Sequence, residues 1–245
     1  MKFSNAVSIS ILFGLSSPLP SDPFHPPPIT NFDYIGSLPA ANVSVEENLW
    51  AGAIIDKEPF YWVGAKLRVP AAKVPLGGNA SLANCFTMWT GVGGDCNTML
   101  QVGLTACIKD GKPIYRTWTS VNPGPVYKLV DIKEGDEITM GAITVGDFVS
   151  VEIDNLTTGK NGSYHHYEGV LCRHKALWMV QPYSAVGCAL ADFSTVAFTD
   201  TFAEAAGDNK IYTISNATLF EIKEDNEQVT KTSNTDTVVV VEYTG

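Results

Sequence analysis

The sequence predicts an all-β fold in which two antiparallel sheets pack face to face. The apolar residues of this 245-residue chain show almost no helical periodicity. Turn-forming residues recur throughout, with 21 Gly and 14 Pro, and short runs rich in Val, Ile, Thr and Tyr lie between them. About a dozen such runs are enough for two packed sheets. No repeat period or charge block divides them, so we expect one β-sandwich domain over residues 46–245.

The strand-forming runs follow one another along this domain, and Pro70 and Pro182 each end one of them. KDGK at residues 109–112 has its glycine where a hairpin turn needs one. Residues 160–169, KNGSYHHYEG, are polar, and we expect a solvated loop there. The runs predicted as strands are ENLWAGAII, FYWVGAKLRVP, LANCFTMWTGV, MLQVGLTACI, IYRTWTSV, VYKLVD, EITMGAI, DFVSVEIDNLTTG, VLCRHKALWMVQP, DFSTVAFTDTF, YTISNATLFEI and DTVVVVEYTG.

The N-terminus predicts secretion to the extracellular space. Residues 1–17 contain one Lys before an apolar run that ends in small residues, which is the outline of a signal peptide. Residues 18–45 are Pro-rich and then polar, so we expect an extended lead segment or propeptide. Five glycosylation sequons agree with secretion. Their asparagines are Asn42, Asn79, Asn155, Asn161 and Asn216.

Charge and cysteine content narrow the classes of partner. The net charge of −10 argues against binding to nucleic acid or to an anionic membrane, because both select basic surfaces. Some of the five cysteines should form disulfides in a secreted chain. We expect a monomer, in which an odd number of cysteines leaves one unpaired. No CxxC or His-x-His spacing suggests a metal site, and we expect neither metal nor cofactor.

One glutamine is unusual for its surroundings. Gln101 lies in MLQVGL, directly after the Gly-rich turn of WTGVGGDCNTMLQVGL. Strand alternation puts Gln101, Gly103 and Thr105 on one face and the neighbouring apolar residues on the other. Burying an amide costs free energy unless it is hydrogen-bonded. Gln101 is therefore either a satisfied polar residue of a sandwich strand or an amide on the floor of a binding cleft.

Two further strands have polar faces that could join Gln101. In IYRTWTSV, Arg116, Trp118 and Ser120 share a face, and in ALWMVQP, Gln181 shares a face with Leu177 and Met179. If these faces belong to one concave sheet, the cleft would combine an aromatic floor with polar anchors for a ligand. The alternative is that they are ordinary alternating residues of a half-exposed sheet.

Seven stretches, in order, resemble the glutamic peptidases, the eqolisin family of secreted fungal acid proteases. The resemblance covers about residues 46–202. It implies a concanavalin A-like sandwich of two curved antiparallel sheets with a concave cleft that takes a polypeptide. The stretches are ENLWAGAII, WTGVGGDCNTMLQVGL, IYRTW, IKEGDEITM, VEIDNLTTGKN, LCRHKALWMVQ and ADFSTVAFTDT.

The resemblance implies a catalytic pair. In that family a Glu is the general base on the attacking water and a Gln stabilises the oxyanion. MLQVG matches the family's ILQTG, so Gln101 is the expected oxyanion stabiliser. The family strand CR..AEWIVE, laid on residues 172–181, puts the base position at Gln181. An amide does not titrate, and loss of a general base costs about 100- to 10,000-fold in rate.

At other positions the chain keeps some of the family's residues and replaces others. Acidic or aromatic family positions are occupied here by Gly93, Arg116, Ser120 and Val121. The resemblance also implies a disulfide between Cys96 and Cys172, while Cys85 and Cys107 could pair across their hairpin and leave Cys188 free. The residues expected to bind substrate are Trp50, Trp89, Tyr115, Arg116, Trp118 and Ser120.

Three functions remain open from the sequence. The first is an acid endopeptidase in which another group serves as base, with Asp95, His165, His166 and Glu168 as candidates. The second is a repurposed scaffold that binds or transforms a small molecule, as a cyclase or isomerase would, with Arg116 holding a carboxylate or enolate-like oxygen. The third, by analogy of fold, is a noncatalytic secreted binding protein.

Overall fold

The computed structural model describes residues 49–57, 59–93, 98–122, 126–167, 171–183, 188–206 and 210–245. The predicted signal peptide and lead segment lie outside these ranges, as do Asn42, Asp95, Cys96 and Glu168. The strands are β1 (Ala51–Asp56), β2 (Phe60–Arg68), β3 (Ala83–Gly93), β4 (Met99–Lys109), β5 (Lys112–Asn122), β6 (Val126–Lys128), β7 (Glu137–Val145), β8 (Phe148–Asn155), β9 (Lys160–Tyr167), β10 (Lys175–Pro182), β11 (Cys188–Leu190), β12 (Thr195–Ala205), β13 (Ile211–Tyr212), β14 (Thr218–Phe220), β15 (Lys223–Glu224), β16 (Glu227–Gln228), β17 (Thr230–Asn234) and β18 (Val239–Tyr243).

Two large sheets contain most of these strands and confirm the predicted all-β sandwich. The first sheet has the order β14-β1-β10-β3-β4-β5-β6, with β11 parallel to β3 at one end. The second sheet has the order β17-β18-β12-β2-β7-β8-β9, with β13 paired to β12. A short 3-10 turn, Ile214–Asn216, is the one helical element of the described residues, and none of them forms a helix capable of crossing a membrane.

The hydrophobic core lies between the two sheets and explains the alternation in the sequence. In β4, Leu100, Val102 and Leu104 are fully buried in this core, so Gln101 and Gly103 lie on the outer side of the first sheet. The buried Trp178 of β10 belongs to the same core, and its Nε1 donates a hydrogen bond to the carbonyl oxygen of Gly64 in β2 at 3.0 Å. This bond ties the two sheets together at their centre.

Residues 160–167 form strand β9, which corrects the predicted loop. The strand pairs along its length with β8, and Tyr164 stacks on Tyr127 with ring centroids 4.5 Å apart. A Cβ at Gly162 would lie 2.6 Å from the Leu129 backbone, so this glycine permits a close approach. An edge strand with its outer side in water needs few apolar residues, so composition alone resembled a loop.

The cysteines are arranged partly as predicted. Cys85 and Cys107 form a disulfide across the β3–β4 pair, with their Cα atoms 4.1 Å apart. Cys188 is a free thiol. Cys172 is disulfide-bonded, but its expected partner Cys96 lies outside the described residues, so that pairing stays a prediction.

The described sequons differ in accessibility. Asn79, Asn161 and Asn216 are exposed. Asn155 is 1% exposed, and its Nδ2, the atom that would carry a glycan, donates to Asp136 Oδ2 at 2.7 Å. Its Oδ1 accepts hydrogen bonds from the backbone N–H groups of the following turn. The folded structure therefore has no room for a glycan at Asn155, which corrects that site in the predicted set.

Candidate functional site

The candidate site is the outer side of the first sheet, here called the amide face and defined by Trp89, Gln101, Trp118, Leu177 and Gln181. Gln101 lies near the middle of this face and is 2% exposed. Its Oε1 is buried and accepts no hydrogen bond within the described chain. An unpaired buried acceptor costs free energy, which is typical of a group kept for binding or catalysis.

Strand register arranges the amide face in rows of side chains that lie directly opposite one another. The first row contains Gln101, and the next two continue along the strands toward the Cys85–Cys107 disulfide. The first row is Ile54–Leu177–Gly91–Gln101–Ser120, the second is Gly52–Met179–Trp89–Gly103–Trp118, and the third is Gln181–Thr87–Thr105–Arg116.

Glycines open space in the first two rows. A Cβ at Gly103 would lie 2.5 Å from the Cβ of Trp89 and 2.3 Å from the Met88 carbonyl oxygen, so only glycine fits there. A Cβ at Gly91 would lie 2.4 Å from the Leu100 carbonyl oxygen. The Trp89 ring lies over Gly91, since its Cζ3 is 3.3 Å from where a Gly91 Cβ would be, so the missing side chain leaves room for this indole.

Three tryptophans predicted to bind substrate lie together on this face. Trp50 meets Trp89 edge to face, with ring centroids 5.5 Å apart. The Trp89 Nε1 donates to Gln181 Oε1 at 3.0 Å, and the Trp118 Nε1 donates to Thr105 Oγ1 at 3.1 Å. These two hydrogen bonds fix the orientation of the indole rings and satisfy their buried N–H groups.

Gln181 lies in the third row of the amide face, two strands from Gln101. Its Oε1 accepts the hydrogen bond from the Trp89 Nε1, so this amide also orients Trp89. The assignment of Gln181 to the family's base position stays a prediction. An amide there cannot take a proton from water.

The residue across Gly91 from Gln101 is Leu177. The family pattern CR..AEWIVE contains two glutamates, and the first of them falls on Leu177. The second falls on Gln181, the base position that the resemblance implies. The chain therefore has neither glutamate of this pattern.

The remaining predicted residues divide between the two sides of β5. Arg116 and Ser120 lie on the amide face, in its third and first rows. Tyr115 lies on the opposite side of the strand, where it packs against the hydrophobic core, and burial raises the pKa of its hydroxyl. This corrects the assignment of Tyr115 as a substrate-binding residue of the same face.

The three rows contain no carboxylate and no imidazole. The histidines considered as replacement bases lie in β9 of the second sheet, where the Nδ1 of His165 is 2.8 Å from Ser150 Oγ. No group of three His, Cys, Asp or Glu side chains within the described ranges is suited to hold a metal ion. These rows can bind and polarise a carbonyl group, but they have no side chain that accepts a proton from water at acidic or neutral pH.

Comparison with known proteins places this geometry in context. The model of the peptidase A4 family matches residues 48–243. Aspergillopepsin-2 of Aspergillus niger is 30% identical over 218 residues, which cover 79% of this chain and 77% of that protein.

Solved structures agree with this match. The structure of scytalido-glutamic peptidase with a peptide-based transition-state analogue superposes with a TM-score of 0.70 at 29% identity, covering 80% of this chain and 98% of that chain. SCP-B, an eqolisin in complex with the tripeptide Ala-Ile-His, gives a TM-score of 0.67 at 28% identity, with the same coverage. Both structures therefore belong to proteins that hold peptides or peptide analogues.

Proposed function

Since the chain belongs to the peptidase A4 family, the glutamic peptidases or eqolisins, we propose that it is a secreted member that binds polypeptides on the amide face without hydrolysing them efficiently. The observation that carries this proposal is the composition of the three rows, which include Gln101 but no carboxylate and no imidazole. The amide of Gln181, at the expected base position, cannot take a proton from water. The oxyanion stabiliser is therefore kept while the general base is absent.

The chemistry of Gln101 supports binding of a peptide carbonyl. Its amide nitrogen can donate a hydrogen bond to a carbonyl oxygen, and this bond would strengthen as negative charge develops there. Attack by water also requires a base to remove the water proton, and absence of that base lowers the rate by about 100- to 10,000-fold. We therefore expect a bound peptide to remain largely intact.

The expected ligand is a polypeptide because the amide face retains apolar floor residues beside Gln101. Trp89, Trp118 and Met179 form the second row, next to the row that contains Gln101. These groups are 0–3% exposed, so a bound peptide must replace what now covers them before its apolar side chains pack there and its carbonyl contacts the amide. Secretion rests on the signal-peptide pattern of residues 1–17 and on the exposed sequons Asn79, Asn161 and Asn216.

The test combines binding and digestion. Isothermal titration with a peptide library should detect binding that Gln101→Ala weakens, while the same peptides stay intact during long incubation from about pH 2 to pH 7. The control is Asp147→Asn, because Asp147 is exposed in the turn between β7 and β8. Rapid cleavage by the wild-type chain that Gln101→Ala abolishes would show that a base is present and would refute the loss of activity. Absence of any peptide binding would refute the binding function.

A second candidate is binding of a small molecule that bears a carboxylate. It is favoured by the third row, where Arg116 lies beside Thr105, two strands from Thr87 and three strands from Gln181. A guanidinium group binds carboxylates through paired hydrogen bonds, and amide and hydroxyl groups can orient the rest of such a ligand. A thermal-shift screen of organic acids tests it, since Arg116→Leu should remove any stabilisation that the wild-type chain shows.

A further inference from the structure

The outer side of the second sheet carries a separate surface, here called the acidic face and defined by Trp62, Lys66, Glu152, Asp154 and Phe202. A groove of about 270 Å³ crosses it over β12, β2, β7 and β8. Register again arranges its side chains in rows. They are Glu204–Trp62–Ile143–Ser150–His165, Phe202–Gly64–Gly141–Glu152–Ser163 and Thr199–Lys66–Thr139–Asp154–Asn161.

Two aromatic rings form a platform at the centre of this face. Trp62 and Phe202 meet edge to face, with centroids 4.8 Å apart. A Cβ at Gly64 would lie 2.6 Å from the Phe202 ring, and a Cβ at Gly141 would lie 3.6 Å from the Trp62 Nε1, so both rings lie over glycines. Trp62 is 38% exposed. A large aromatic side chain is thus presented to solvent beside a groove.

The charges around the platform are predominantly negative. Glu152 lies directly opposite Gly141, and Asp154 and Asp200 also line the groove. Glu152 and Asp200 form no ion pair within the described ranges, whereas Lys66, the cation of the groove lining, pairs with Glu137 at 3.2 Å. Asp154 accepts a hydrogen bond from Thr139 Oγ1 and contacts no cation there. The groove therefore has three carboxylates and one cation, Lys66, which is paired with a carboxylate other than these three.

We propose that the acidic face binds a polypeptide segment that carries lysine or arginine. A cationic side chain would contact the exposed Trp62 ring and pair with Glu152, because an indole attracts cations and a neighbouring carboxylate adds charge attraction. A neutral sugar could also stack on Trp62, but it would leave the negative charge of the groove uncompensated. The acidic face lies on the opposite side of the sandwich from the amide face, so this inference does not depend on the proposed function.

The test uses the full chain and a short fluorescent peptide of alternating Lys and Gly. The matched ligand is the same peptide with acetylated lysines, which keeps its length and removes its charge. We expect fluorescence anisotropy to show binding of the charged peptide and not of the acetylated one. Glu152→Gln should weaken binding about two- to fivefold, and Trp62→Leu about three- to tenfold.

Two further variants separate a local effect from loss of folding or of net charge. Glu227→Gln removes one negative charge from the exposed β16, away from the groove lining, and should leave the affinity unchanged. Trp62→Phe keeps an aromatic ring and should bind more tightly than Trp62→Leu. Equal binding of the charged and acetylated peptides, an unchanged affinity in Glu152→Gln, or binding of a neutral oligosaccharide in place of the Lys peptide would each overturn the proposal.

Discussion

The amide face and the acidic face both place glycines in a row of opposed side chains, Gly91 on the first and Gly64 with Gly141 on the second. Aromatic rings lie beside these glycines on each sheet. The polar residues differ, because the rows of the amide face hold amides, hydroxyls and one arginine, whereas the acidic face holds carboxylates. The sandwich therefore provides similar platforms twice, and a few polar side chains decide what each can do chemically.

Substitution of a glycine on each face should have opposite effects on stability. Gly103→Ala places a methyl group against Trp89 and the Met88 carbonyl, and we expect it to lower the free energy of unfolding by about 1–3 kcal/mol. Gly141→Ala meets its nearest neighbour at 3.6 Å and should be neutral or stabilising by about 0.5 kcal/mol. Urea denaturation of both variants measures this. Equal losses would show that the glycines of the two faces are equivalent.

The two glutamines of the amide face should also differ. Gln181→Met removes the acceptor of the Trp89 indole N–H and should destabilise the chain by about 1–2 kcal/mol. Gln101→Met removes an unpaired buried oxygen and should be neutral or stabilising. Thermal melts of the two variants compare them directly. A larger loss in Gln101→Met would mean that Gln101 is a structural residue and not a group reserved for a ligand.

Salt concentration should affect the affinity of peptides for the two faces differently, and this is the smallest of the expected effects. Raising NaCl from about 0.05 to 0.5 M should weaken binding of the Lys-Gly peptide to the acidic face several-fold, since exposed charges are screened within a few ångströms at high salt. An uncharged apolar peptide bound to the amide face should change little. Anisotropy titrations at both concentrations measure this, and an equal salt response for the two peptides would contradict the assignment of separate faces.

Much of the sandwich could be predicted because strand alternation is a local property. The apolar residues around Gln101 lie in the core, and Gln101 lies outside it, as the two-residue period of β4 requires. The same rule put Arg116, Trp118 and Ser120 on the amide face.

Pairing between strands is not a local property, so alternation could not supply it. Gln181 and Leu177 have the same parity in β10, and only strand register shows that Leu177 shares a row with Gln101. Tyr115 was assigned to the amide face from the family resemblance. The two-residue period of its strand already puts it on the side opposite Arg116 and Trp118. Asn155 matches a sequon, but its burial depends on Asp136 from another part of the chain.

The central claim is that the amide face lacks a proton acceptor because an amide, Gln181, stands at the base position, and one digestion experiment tests it most directly. Gln181→Glu, Leu177→Glu and Leu177→Gln are compared with the wild-type chain on a denatured protein substrate from about pH 2 to pH 7, with thermal melts to verify folding. The wild-type chain is the matched control for Gln181→Glu, because glutamine has the size of glutamate without its ability to titrate.

We expect Gln181→Glu to gain hydrolysis by about 100-fold or more while the other three proteins stay near background. Peptide binding by a folded Gln181→Glu protein verifies that its site is intact. Activity in Leu177→Glu together with a silent, folded Gln181→Glu would contradict this expectation and would place the base position at Leu177.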